Sequence, residues 1–231
     1  MNQCTTERRS DVRRRCLGVI YPIAAALFAC TLSWPLTGCN RPSEPAKTAE
    51  TPTAEPPLVK SAADGDIEEM KSLLEGGADI NARDNLGRSP LHIAAFYGQI
   101  KASEFLIDKG ADINAKDNVG MTPLHAAVLS GGRQEVELLI DKKADITAKS
   151  ASEQTVLHLS ASTGQPKLSR YLIEHGADPL TADTDGKLPV DYATQNKHPQ
   201  TSSLLKAATA KARSAKSEPA AQPESTPKND S

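Results

Sequence analysis

At 231 residues the chain has room for one domain of ordinary size plus flanking segments. A net charge of -2 and an aromatic content of 3% argue against a nucleic-acid binder and predict a core of Leu, Ile and Ala. The near-neutrality conceals a split, because residues 1–38 hold five arginines (Arg8, Arg9, Arg13, Arg14, Arg15) against Glu7 and Asp11, which leaves 22 basic and 27 acidic residues in the remainder. Such a remainder repels anionic lipid and nucleic acid, so its charge serves solubility.

In chain order, the Arg-rich start gives way to an apolar run, Leu17 to Trp34, and then to Leu36-Thr37-Gly38-Cys39. That three-part layout predicts a secretory leader. An uncleaved transmembrane anchor is the alternative, since a span needs roughly 17 to 25 apolar residues. The segment Leu36-Thr37-Gly38-Cys39 resembles the lipobox of bacterial lipoproteins, which implies acylation of Cys39 and cleavage before it. The cysteines agree with this: Cys4, Cys16 and Cys30 lie in the leader, so only Cys39 remains and no disulfide forms within one mature chain. Each buried acyl methylene contributes about 0.8 kcal/mol, so several chains on Cys39 anchor the protein almost permanently. The resemblance implies a place in the bacterial cell envelope. With Asn40 after the cysteine, it implies the periplasmic face of the outer membrane where the envelope has two membranes.

Residues 39–57 read as the acylated cysteine and a spacer, with Pro42, Pro45, Pro52, Pro56 and Pro57 blocking regular structure. At the other end, residues 207–231 are rich in Lys, Ala, Ser, Pro and Glu without apolar periodicity and are expected to be disordered.

Between these flanks the sequence repeats every 33 residues: Gly65, Gly98, Gly131 and Gly164; Leu58, Leu91, Leu124 and Leu157; Asp79, Asp112, Asp145 and Asp178. Met121-Thr122-Pro123-Leu124-His125-Ala126-Ala127 carries the Thr-Pro-Leu-His core that, at this period, identifies residues 58–206 as similar to the ankyrin repeats. The resemblance implies an all-α solenoid of stacked helix-turn-helix units with projecting turns. Full units are expected at 84–116, 117–149 and 150–182, with partial caps at 58–83 and 183–206.

The residues support this without the family. Ser89 and Thr122 are good N-caps, with Pro90 and Pro123 at the first helical position, where a missing N–H costs nothing. Each first helix is expected to stop near Gly98, Gly131 or Gly164. In the second helices, Ala102, Phe105 and Leu106, like Val136, Leu139 and Ile140, are spaced to bury one stripe. The third full unit departs from the pattern: Glu153 stands where a turn glycine is expected and Val156 where a proline is. It is expected to be the softest of the three.

The residues that could suggest chemistry are His92, His125 and His158, again 33 apart, with His175 and His198. Equivalent positions on packed helices lie roughly 8 to 10 Å apart, too far to share a zinc ion. The three are expected to bond the neighbouring inter-repeat turns. There is no Gly-rich phosphate loop and no spaced His/Cys/carboxylate cluster, so no enzyme, cofactor or metal site is expected.

What the resemblance implies for function is a protein-binding module. Carried over one residue at a time, its binding positions are Asn85, Leu86, Arg88, Phe96 and Tyr97 in the first full unit and Asn118, Val119, Met121, Leu129 and Ser130 in the second. The third offers Ala151, Ser152, Gln154, Ser162 and Thr163. The expectation is a monomeric domain holding a protein partner on its concave face, tethered by lipidated Cys39 and not bound to nucleic acid. A structural envelope tether attached through the tail cations Lys206, Lys211, Arg213, Lys216 and Lys228 is the alternative, and a role in periplasmic stress protection is a special case of binding.

Overall fold

The computed structural model describes residues 55–217; the leader, Cys39 and most of the spacer lie outside them. The described residues form five helix pairs: α1 (Pro57–Asp64) with α2 (Ile67–Glu75), α3 (Pro90–Tyr97) with α4 (Ile100–Asp108), α5 (Pro123–Ser130) with α6 (Arg133–Asp141), α7 (Val156–Ser162) with α8 (Pro166–Glu174), and α9 (Pro189–Gln195) with α10 (Pro199–Ser217). The first helix of each pair packs on the first helix of the next, α1 on α3, α3 on α5, α5 on α7 and α7 on α9. The second helices touch one another less, so the stack is tighter along its inner row. Alanines allow that approach: Ala62, Ala94, Ala95, Ala127 and Ala161 are buried there beside Leu91, Leu124 and Leu157. No unit hides its apolar faces alone; the stack does.

Proline starts most of these helices, and the third full unit shows what replaces it. α7 begins at Val156, yet Thr155 caps it as Ser89 and Thr122 cap α3 and α5. Gly98 and Gly131 close α3 and α5 in the left-handed region, and Gly164 follows α7 with φ 71°. Glu153 does take the turn glycine's left-handed conformation: its φ is 56°, where Gly87, Gly120 and Gly186 have 74 to 75°. Lys143 (71°) and Lys197 (59°) likewise occupy left-handed positions where other units place glycine. A side chain at such a φ costs on the order of 1 kcal/mol relative to glycine.

Both ends differ from expectation. The first unit, read as a partial cap, contains a complete helix pair, with α1 starting at Pro57 and Asp64, Asp66, Glu68 and Glu69 exposed. At the other end, α10 runs through Ala207 to Ser217, so residues 207–217 are helix and not the expected disordered tail. The reason is a face that apolar periodicity alone does not reveal: Leu205 and Thr209 are buried at i, i+4, with Ala208 and Ala212 half-buried. Among the described residues no helix is long and apolar enough to cross a membrane.

Candidate functional site

Three parts of each unit could do work: the buried histidine, the projecting turn, and the exposed end of the first helix. The geometry of the histidines fixes their chemistry. The backbone N–H of Ser89 donates to His92 Nδ1 at 3.1 Å, and the Ser89 hydroxyl lies 2.8 Å from the same atom. A backbone N–H can only donate, so Nδ1 carries a lone pair and the ring proton is on Nε2. That proton is donated to the Met121 carbonyl of the next unit at 3.0 Å. His125 repeats the arrangement with Thr122 and the Gln154 carbonyl (3.2 Å), and His158 with Thr155 and the Lys187 carbonyl (3.2 Å).

Both nitrogens of each ring are therefore engaged, Nδ1 in capping its own helix and Nε2 in holding the next unit. All three rings are almost fully buried. Burial pushes their pKa down, against the pull of the accepting carbonyls, and His125 falls to about 4. The last unit shows the complement: Asp191 replaces histidine and accepts the Leu188 N–H at 2.8 Å. It performs the capping half of the task, and among the described residues no further turn of this kind follows α9 for the other half. His175 bonds the Tyr171 carbonyl within its own helix, and His198 lies 3.1 Å from the Ser162 carbonyl of the preceding unit. Among the described residues no group of three or more His, Cys, Asp or Glu side chains could hold a metal ion.

The turns are built by a carboxylate at their base. Asp84 accepts from the N–H groups of Leu86 (2.9 Å) and Arg88 (2.8 Å), and Asp117 from those of Val119 (3.0 Å) and Met121 (2.8 Å). Asp183 does the same for Asp185 and Lys187. In the third full unit Ser150 stands at this position and accepts only from the Gln154 N–H, at 3.2 Å. Neighbouring turns join through their backbones, Asn118 N–H to the Leu86 carbonyl (3.0 Å) and Ala151 N–H to the Val119 carbonyl (2.9 Å). These bonds turn the tips outward as one ladder.

On that ladder and the adjoining helix ends lie the binding residues expected from sequence. Among the described residues five large apolar side chains are exposed: Leu86 (58%), Phe96 (41%), Tyr97 (60%), Val119 (56%) and Leu129 (42%). All five belong to the first two full units. Phe96 and Tyr97 meet edge to face with centroids 5.4 Å apart, which holds the pair as a unit. Asn85, Asn118 and Ser130 are also exposed.

Three of the expected positions, Asn118 among them, have bonds or burial of their own. Arg88 is pinned to buried Asp84, Nε to Oδ2 at 2.7 Å; Asn118 donates from Nδ2 to the Asn85 carbonyl at 3.2 Å; and Met121 is half-buried, its carbonyl taken by His92. Two residues that the sequence reading passed over belong to the surface. The Arg83 guanidinium donates to the carbonyls of Gly87 (2.7 Å) and Lys116, straddling two tips, and Lys116 Nζ donates to the Lys149 carbonyl at 3.1 Å. Their signal was a basic residue recurring one place before Asp84, Asp117 and Ser150.

Outside this surface the grooves are shallow and mixed in charge. One of about 400 Å³ between α6, α8 and α10 is lined by Arg133, Lys167, Arg170, Tyr171 and Glu174. The other unusual group is Glu135 on α6, 1% exposed, with neither carboxyl oxygen hydrogen-bonded and the unbonded Ser103 hydroxyl of α4 beside it. Burial raises its pKa.

Stacked helix pairs with bonded projecting turns define a helical repeat solenoid with an extended side-chain surface. The family model for ankyrin repeats (3 copies) matches residues 38–117, 58–150 and 136–214, and the chain belongs to the ankyrin-repeat family. Ankyrin repeats generally mediate protein–protein interaction. No match was found among curated proteins.

Proposed function

We propose that this chain is a lipid-anchored bacterial envelope protein, without catalytic activity of its own, whose repeats hold a protein partner on the tips and helix ends of the first two full units. The observation that carries the reading is the confinement of all five exposed large apolar side chains to that surface. Aromatic side chains are among those that dominate interface energetics, and they exclude water best when clustered. A photo-crosslinking residue at Leu86 or Val119 in living cells, followed by mass spectrometry, identifies the partner. Titrating it against Tyr97→Ala or Leu86→Asp should show a loss of about 2 kcal/mol. Unchanged affinity in both variants moves the site elsewhere.

The anchor rests on the sequence from Leu17 to Cys39. Intact-mass and N-terminal analysis should find an acylated Cys39 as the first residue. A chain retaining residues 1–38, or a Cys39→Ala variant that still fractionates with membranes, refutes it. The tether alternative is best tested by replacing Lys206, Lys211, Arg213, Lys216 and Lys228 with Gln in the full chain, because a cut at Ala207 would remove the buried Thr209 from α10.

A further inference from the structure

We infer that the partner segment received by this surface is anionic and carries two or more large apolar side chains; the inference rests on the tips and helix ends being the docking surface. The apolar requirement follows from the five exposed side chains. The charge follows from how the turns dispose of theirs. The Asp84 and Asp117 carboxylates point into their own turns, where backbone N–H groups, and for Asp84 the Arg88 guanidinium, bond them. The cations do the opposite. Arg83 lies across the tips of the first two units and Lys116 across to the third, each on backbone carbonyls that carry no formal charge to neutralise it. A locally cationic ladder beside apolar side chains thus stands out on a chain whose residues after 38 are acidic in sum. A carboxylate-bearing segment gains Coulomb attraction there and repulsion elsewhere, which steers it to this face.

Other occupants fit less well. The chain's own flanks, residues 40–57 and 218–231, contain no Leu, Ile, Val, Met, Phe, Tyr or Trp with which to cover the five side chains. A two-fold pairing of two copies lays the patch on itself and brings the Arg83 and Lys116 cations of both copies together. An anionic membrane meets the same two cations but is repelled by the rest of a chain whose residues after 38 are acidic in sum.

The test selects random linear peptides displayed on phage against the full chain carrying Cys39→Ala, so that no acyl chain is present. Enriched peptides should be net negative, with two or more Leu, Phe, Tyr or Trp residues. Their affinity should fall about ten-fold or more in Arg83→Gln/Lys116→Gln, and again as salt rises. The unfolding midpoint is followed in parallel, and Lys116→Gln alone is used if loss of the Arg83 bonds lowers it. Neutral or basic peptides whose binding is lost in Tyr97→Ala overturn the anionic partner while leaving the surface in place. Binders indifferent to both Tyr97→Ala and Leu86→Ala overturn the surface as well. A selection without patch-dependent peptides overturns the inference. If vesicles of mixed neutral and anionic phospholipid then bind through Tyr97, the ligand is a membrane.

Discussion

The second and third full units share one backbone and differ in almost everything they present to solvent. At matched register the second has Val119 and Leu129 where the third has Ser152 and Ser162, and an Asp117–Gly120 turn where the third has Ser150 and Glu153. Both nevertheless hold a capped first helix and a histidine bonded to the next turn at 3.2 Å. The comparison separates two sets of residues. Capping hydroxyls, histidines and buried leucines keep the unit in place, and the outward side chains at 119/152 and 129/162 are free to vary because the bonds that join the tips run through their backbones.

The third unit also recovers what its turn lacks through the last one, residues 183–206. Gln154 donates to the Tyr192 hydroxyl (2.7 Å), which donates to Asp183 (2.5 Å), and the Tyr192 ring meets His158 edge to face. The polar surface and repaired turn of this half contrast with the exposed apolar side chains of the other, the docking surface proposed above.

The largest expected effect breaks what the two units share. His125→Ala should destabilise by about 3 kcal/mol, since it removes a buried cap, empties the buried ring's place and leaves the Gln154 carbonyl with the Ser150 N–H of its own turn alone. The pH dependence has a definite sign. A histidine whose folded pKa is depressed contributes stability above its unfolded value of 6.5 that is lost as pH falls toward about 4. Protonation at Nδ1 would also set a donor against the Thr122 N–H. The urea midpoint should therefore drop between pH 6.5 and 4 in the wild type and drop less in His125→Ala.

Next is Glu135, which belongs to the second unit alone; Ala102 and Leu168 occupy its register in the neighbours. Its raised pKa means that the folded state prefers the protonated form, so its penalty grows as pH rises through and above the ordinary carboxylate range. Glu135→Leu should stabilise by roughly 2 kcal/mol at pH 7 and less at pH 4. Equal denaturation midpoints at both pH values would show that the carboxyl has found a partner.

Smaller effects sharpen the contrast in the turns. Glu153→Gly removes left-handed strain and should stabilise by about 1 kcal/mol, although it also breaks an exposed pair with Lys149 worth little. The same change in sign should be absent for Gly120→Glu, whose Cβ would meet the Ala151 nitrogen at 2.6 Å; that variant should destabilise. Smallest is Gly132→Gln, stabilising by on the order of 0.5 to 1 kcal/mol. Gln99 and Gln165 at this register donate to carbonyls of the preceding unit, Ala63 (2.9 Å) and Val128 (3.2 Å), and Gly132 leaves that bracket unmade at an allowed φ of -73°. Thermal melts decide all three.

Much of this was legible from residues alone. The 33-residue phase of Leu58, Leu91, Leu124 and Leu157 marks the buried inner row, and the Thr-Pro-Leu-His stretch marks helix starts, because capping and burial are local and periodic. The end of α10 was not legible: its buried face rests on Thr209 and alanines, which read as tail composition until Leu205 is seen to anchor them. Nor was the commitment of Arg88 and Asn118 to their own turns, since a side chain that can reach a partner protein can also reach its own backbone. The surface cations were missed for the same reason, in reverse.

The central claim, that the apolar half receives the partner and the polar half does not, is tested most directly at matched register positions. Photo-crosslinking residues placed one at a time at Leu86, Tyr97, Ser152 and Thr163 should give a common protein adduct from Leu86 and Tyr97 and none from Ser152 and Thr163. The same adduct from all four, or from Ser152 and Thr163 alone, would contradict the account.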